Sequence, residues 1–260
     1  VETPRLLENR IAIVFGVANK RSIAWAVAKK FSQAGAKVII TYQDDRLEGN
    51  VVPLAAELGE CRTVRCDLTK QEDIDATFKM VADEFGGLDI LVHSVAYALR
   101  EELDGRFSDT SAEGFQIAHN VSSYTLTAAV RGGRALLEKR GGGSIMAMTY
   151  YGAERVIQNY NIMGVAKASL EASVRYLAAD LGPSNIRVNA LSPGPLNTLA
   201  ARGIAGFTTM LQHIRDRAPL RRNTELEEVA DAALFLASDL SRGITGEIIY
   251  VDGGYHILGM

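Results

Sequence analysis

The chain has 260 residues, 47% of them hydrophobic and 23% charged, with a net charge of -3 at neutral pH. That apolar share supports a sizeable buried core, and the weak negative charge excludes the basic footprint of a nucleic-acid or membrane-surface binder. Cys61 and Cys66 are the two cysteines; flanking a short apolar run, they form neither a zinc set nor a disulfide framework and point to a reducing compartment, the cytoplasm. His93, His119, His213 and His256 have no ligand spacing among them, so no metal site is expected. No apolar run reaches the ~18 residues of a membrane span, and the opening VETPRLLENR lacks an apolar signal core.

The chain then alternates between strand and helix signals. IAIVF (Ile11–Phe15) predicts a first strand, and Ile23, Ala26, Val27, Lys30, Phe31 and Ala34 follow at helical spacing until Gly35 stops them. KVIITY (Lys37–Tyr42) and TVRC (Thr63–Cys66) predict two more strands, Asp73–Phe85 a helix, and LDILVHS (Leu88–Ser94) a fourth strand. One long helical pattern covers Thr110–Lys139. It contains the pair Gly132 and Gly133, each costing ~1 kcal/mol in a helix interior, with no explanation at this level beyond close packing. SIMAMTY (Ser144–Tyr150), a helix over Asn161–Leu181, IRVNALSP (Ile186–Pro193), a helix over Glu225–Ala237 and EIIYVDGG (Glu247–Gly254) complete the series. Strands this rich in Val, Ile and Leu are buried on both faces. The pattern predicts a single Rossmann-type, doubly wound α/β domain over 1–260, a seven-stranded mainly parallel sheet with helices on both faces.

In such a sheet ligands bind beyond the C-terminal strand ends, where strand order reverses. After the first strand comes GVANKRSIAWAVA, where Gly16, a small polar loop and a helix start suit a pyrophosphate through free N–H groups. The sequence G-x-G-x-x-G is absent, with Ala18 and Ser22 at the later small positions, so by itself this loop reads equally as a plain turn. TYQDD places Gln43 and Asp44 where an adenosine ribose would lie. Asp44 would repel a 2′-phosphate and favours NADH over NADPH, while Arg46 argues the other way. Asp67, in RCDLT, either accepts from an adenine amine or caps the next helix. HSVAYA lets the backbone at Ser94, Val95 and Ala96 approach a cofactor.

GVANKRSIAWAVA, TYQDDRL, HSVAYA, YNIMGVAKASLEASVRYLAADLG and GYHILGM together resemble the enoyl-acyl carrier protein reductases of bacterial fatty-acid synthesis. These are the NADH-using, divergent branch of the short-chain dehydrogenase/reductases, and the resemblance covers essentially the whole chain. It implies NADH-dependent reduction of the trans-2 double bond of enoyl-acyl carrier protein thioesters. By the same resemblance Gly16, Ser22, Ile23, Gln43, Asp67, Leu68, Ser94, Val95, Lys167, Leu196 and Thr198 bind the cofactor. Ala98, Tyr150 and Tyr160 meet the substrate, and Tyr150, Tyr160 and Lys167 are the catalytic set. A homotetramer is implied too, with the apolar end GYHILGM as its physical support. Pro193, Asn197 and Leu99 depart from residues frequent at those places in the branch.

Tyr160 and Lys167 are seven residues apart. On one helix they would face the same way with an axial offset of ~10.5 Å, against ~6 Å for the Tyr-x3-Lys spacing more common in the superfamily. In a ketone the carbon receiving hydride carries the oxygen that becomes negative. In an enoyl thioester hydride goes to C3 and charge develops on the thioester oxygen, two carbons away. The stabilising hydroxyl must then stand further off, and Tyr160 is assigned that donor. Lys167, by resemblance, holds the nicotinamide ribose. Tyr150 shapes the acyl pocket, orients the thioester or delivers a proton to C2. The small apolar stretch GPLNTLAARGIAGFTTML, about 194–211, is expected to form a substrate-binding lid, or else a surface helix. A carbonyl reductase and a non-catalytic dinucleotide sensor are the competing functions.

Overall fold

The computed structural model describes residues 5–198 and 206–259. Seven strands form: β1 (Ile11–Phe15), β2 (Lys37–Tyr42), β3 (Cys61–Arg65), β4 (Ile90–His93), β5 (Gly143–Met148), β6 (Ile186–Pro193) and β7 (Ile248–Val251). They pair in the order β3-β2-β1-β4-β5-β6-β7, and every pairing is parallel. The chain runs outward from β1 to β3 and then returns to β4 on the other side of β1. That reversal opens a crevice at the C-terminal ends of β1 and β4, where Phe15 pairs with His93.

Alternate residues of each strand enter opposite cores, as a period of two requires. From β1, Ala12 and Val14 pack with Val27 and Phe31 of α1 (Ile23–Gln33) and Val229 and Ala233 of α8 (Leu226–Ala237). Ile11, Ile13 and Phe15 enter the other layer, with Phe78 of α3 (Gln71–Phe85), Val130 of α5 (Thr125–Lys139) and Val174 of α6 (Asn161–Leu181). Each large side chain so buried contributes about 1.5–3 kcal/mol relative to exposure.

The glycine pair on α5 now has a physical account. A Cβ at Gly132 would stand 2.5 Å from Phe78 Cδ2, and one at Gly133 would stand 2.7 Å from Phe78 Cε1. The pair lets the aromatic ring of α3 lie directly on the α5 backbone.

Three segments differ from the sequence expectation. The pattern over 110–139 is not one helix: α4 (Ala112–His119), capped by Ser111, passes through a π-helical turn, Asn120–Tyr124, into α5. A helix period cannot reveal one extra residue in a turn. Helix α2 (Asp45–Ala55) was hidden by Pro53 and Gly49, and Asp44 starts it by accepting from Arg46 N at 3.0 Å. Helix α7 (Phe207–Arg217) includes the second part of the expected lid, while positions 199–205 of that stretch lie outside the described residues. Strands β4, β5 and β7 also stop earlier than their apolar runs, and the freed ends of β4 and β5 line the cavity described next.

Candidate active site

Gly16 sets the floor of the crevice. Its φ is +96°, and a Cβ there would stand 2.2 Å from Ser94 O, so only glycine brings the loop after β1 against the end of β4. Helix α1 then begins at the same wall: Ser22 accepts from Trp25 N at 3.3 Å and donates to Asn19 O at 2.8 Å. A cavity of about 650 Å³ extends from this floor. Gly16, Ser22, Ile23, Gln43, Asp67, Leu68, Ser94, Val95, Leu196 and Thr198 line it, together with Ala98, Tyr150, Tyr160 and Lys167. The residues singled out from the sequence thus meet in one place.

At the β2–β3 end, Asp67 is no helix cap. Its Oδ1 accepts from Thr69 N at 3.0 Å and Thr69 Oγ1 at 2.7 Å, closing a turn before α3, which starts after Lys70. Arg46 donates through Nε to Asp44 Oδ2 at 3.0 Å, and this guanidinium holds the Asp44 carboxyl below the usual carboxylate range. Arg46 is exposed and Asp44 half-buried, and neither lines the cavity; Gln43 and Leu47 do.

At the opposite end stand the tyrosines and the lysine. Helix α6 starts at Asn161, as read from the sequence, with Tyr160 as its N-cap, and both Tyr160 and Lys167 line the cavity. Asn159 (φ 61°) and Asn161 (φ 26°) bracket Tyr160 in left-handed conformations, which asparagine tolerates better than most residues. Gly152 permits the close fit: a Cβ there would lie 2.6 Å from Tyr160 Cδ1. The Tyr150 and Tyr160 rings meet edge to face, centroids 5.0 Å apart at 72°. Tyr150 donates its O–H to Met210 Sδ of α7 at 3.5 Å.

Burial pushes both phenols well above their ordinary value; Tyr150 adds to the rise of Tyr160, and Tyr255 and Asp252 add to that of Tyr150. Both are therefore neutral donors at physiological pH. Lys167 is 5% exposed, and its Nζ donates to Met148 O at 2.7 Å. Burial pulls its ammonium down to about 8, against the opposing pull of Glu171. Beneath it, His93 Nε2 lies 2.8 Å from Thr125 Oγ1, whose proton goes to Val121 O at 2.6 Å. Burial pulls His93 down to about 3, so its imidazole is neutral.

Sequence reasoning missed several lining residues. Thr149 adjoins Tyr150, and Phe207 and Met210 lie in the stretch read as a lid, so their neighbourhood was visible though their contacts were not. Val121 and Thr125 carried no signal, because the π-helical turn that brings them to the cavity leaves no mark in an apolar pattern.

The family described as enoyl-(acyl carrier protein) reductase matches residues 16–256. The NADH-named enoyl-acyl carrier protein reductase of Bacillus cereus is 52% identical over 256 residues, 98% of this chain and 99% of its own. A Staphylococcus aureus enoyl-acyl carrier protein reductase named for NADPH is 48% identical, covering 97% of this chain and 98% of its own. The crystal structure of a Bacillus cereus enoyl-acyl carrier protein reductase with NADP+ and indole naphthyridinone superposes with a TM-score of 0.96 at 51% identity, covering 98% of this chain and 99% of that one. The strand order, the cavity at its reversal and this full-length similarity agree: the chain belongs to the enoyl-(acyl carrier protein) reductase family.

Proposed function

We infer that the protein reduces the trans-2 double bond of enoyl-acyl carrier protein thioesters with NADH, giving saturated acyl thioesters in fatty-acid elongation. The residues present fit a nicotinamide dinucleotide. The Gly16 turn leaves no room for a Cβ, Ser22 and Ile23 bring the α1 N-terminus to the cavity wall, and a buried ammonium stands at the far end. Gly16, Ser22 and Ile23 would hold the phosphates, Gln43, Asp67 and Leu68 the adenosine, and Lys167 the nicotinamide ribose. Ser94, Val95, Leu196 and Thr198 complete that wall. Bound NADH supplies the hydride that C3 of the substrate accepts.

The protein's own part is to receive charge and to exclude water. Tyr160 donates its O–H to the thioester oxygen as that oxygen becomes an enolate. A neutral donor fixed in a buried site is worth more to the transition state than to the ground state. Lys167 adds a positive charge on the same side. Ala98, Tyr150 and Tyr160 border the acyl chain, with Tyr150 orienting the thioester. Gly194–Thr198 and Phe207–Leu211 act as the lid over it, with Phe207 and Met210 on the cavity wall.

One observation carries this reading: two neutral phenols in edge contact beside a buried lysine, in a single cavity with a dinucleotide turn. Its test is NADH oxidation followed at 340 nm (the nicotinamide band) with a trans-2-enoyl thioester and, separately, a 3-ketoacyl thioester. Turnover is expected with the first and not the second. The reverse result makes the protein a carbonyl reductase, and no turnover with either makes it a binding protein.

Acyl carrier protein is the physiological carrier in this reading, and the cytoplasm its place. Among the described residues no helix is long and apolar enough to cross a membrane. A homotetramer is supported by the apolar C-terminal stretch, where Ile257 is 69% exposed in the single chain. Sedimentation velocity reads that assembly.

A further inference from the structure

Behind the cavity wall lies a buried acid that no step above uses. Glu171 stands one turn after Lys167 on α6 and is 6% exposed. A carboxylate removed from water costs several kcal/mol unless it is paired and hydrogen-bonded. Thr149 supplies one partner, donating its hydroxyl to Glu171 Oε1 at 2.6 Å. Thr149 is itself pinned, its N–H donating to Leu191 O of β6 at 2.8 Å. The residue before it, Met148, accepts from Lys167 Nζ at 2.7 Å. The end of β5 therefore ties the ammonium through one carbonyl and the acid through the next side chain.

The charges around this pair leave Glu171 a distinct part. His93, from β4, opposes a positive Lys167 only when protonated, which its burial prevents. Glu171 is the group that favours the Lys167 ammonium against burial. Glu171 in turn is raised by burial and by Glu154, in the turn after β5, and lowered by the Thr149 hydrogen bond and by Arg175 and Lys167 of its own helix. Tyr250 of β7 faces the same acid and is itself raised first by burial.

We propose that Glu171 is a positioning residue for Lys167, braced by Thr149, and that it keeps the Lys167 ammonium in place at the cofactor end of the cavity. Glu171 does not line the cavity, so it acts through Lys167. The inference rests on the reductase reading, in which Lys167 binds NADH.

Glu171→Gln tests it, because the amide keeps the size and an acceptor for Thr149 while removing the charge. NADH dissociation constants are measured by fluorescence titration on the folded protein from about pH 6 to about pH 10, around the perturbed lysine range. In the wild type, affinity is expected to fall above the Lys167 value of about 8. In Glu171→Gln it should match the wild type within about twofold at the acid end and be roughly tenfold weaker near pH 8.5, since loss of a neighbouring anion lowers a lysine pKa. Glu171→Asp, which keeps the charge, should lie between them. An equal loss at every pH means a merely structural role and overturns the proposal, as does a profile that superimposes on the wild type. Should Glu171→Gln fail to fold, a wild-type affinity with no break between about pH 7 and about pH 9 overturns it as well. Absence of NADH binding at any pH overturns the reductase reading and the brace with it, whereas binding with an unmoved profile overturns the brace alone.

Discussion

The hydroxyl of Tyr160 is held neutral by burial, with its ring gripped between Tyr150 and the backbone of Gly152. In the proposed reaction its O–H meets the oxygen that gains charge. Tyr160→Phe should therefore lower kcat/KM by ~30- to 1,000-fold, the ~2–4 kcal/mol of one oxyanion donor, with little change in NADH affinity. Tyr150→Phe keeps the edge-to-face contact and loses only the bond to the Met210 sulfur, a weak acceptor. Its expected cost is below ~10-fold, about 1.4 kcal/mol. Steady-state kinetics on both variants with one enoyl thioester at saturating NADH decide the matter. A large loss confined to Tyr150→Phe would exchange the two roles. These residues were legible in the sequence by type and spacing, but their geometry was not. The helix start at Asn161 was legible, whereas the positive φ of Asn159 and Asn161 on either side of Tyr160 was not. Backbone sign does not appear in an apolar period.

Among the elements, α3 and α5 show how a local penalty can serve packing. Two mid-helix glycines weaken α5 in isolation, yet they let Phe78 and Ile74 reach its backbone. Gly132→Ala should gain ~1 kcal/mol of helix propensity and lose more to crowding, because a Cβ 2.5 Å from the Phe78 ring forces that core side chain to move. A net loss of about 1–2 kcal/mol is expected, which lowers Tm by roughly 2–8 °C in thermal melts. Phe78→Leu alone destabilises the core, but combined with Gly132→Ala the two costs should sum to less than their separate values. A stabilising Gly132→Ala would remove the packing account. The strands were the most legible elements, since burial on both faces leaves near-continuous Val, Ile and Leu runs. Helix α2 was the least legible, its apolar positions separated by Gly49 and Pro53.

Across the molecule, the reversal of strand order between β1 and β4 gathers residues as distant as Gly16 and Thr198 into one cavity. Alternation of strands and helices along the chain was enough to anticipate that crevice, because parallel sheets bind ligands there. Nucleotide choice is decided at its far edge. Arg46, three residues after Gln43, is a basic candidate for a 2′-phosphate, and Asp44 engages it. NADH is therefore expected to exceed NADPH in kcat/KM, and Asp44→Asn should raise NADPH efficiency by releasing the Arg46 guanidinium. Equal or better efficiency with NADPH in the wild type would show that the pair opens to read the phosphate.

Hydride entry at carbon C3 of an enoyl thioester, with Tyr160 stabilising the distant oxygen, is the proposed chemistry. It is tested most directly by running the reaction with NADH deuterated at both C4 positions in ordinary water, then locating the label in the acyl product by NMR and mass spectrometry. One deuterium at C3, with an unlabelled proton from solvent at C2, is the predicted result. Label at C2, label on a carbon bearing a new hydroxyl, or a saturated product without deuterium would contradict it.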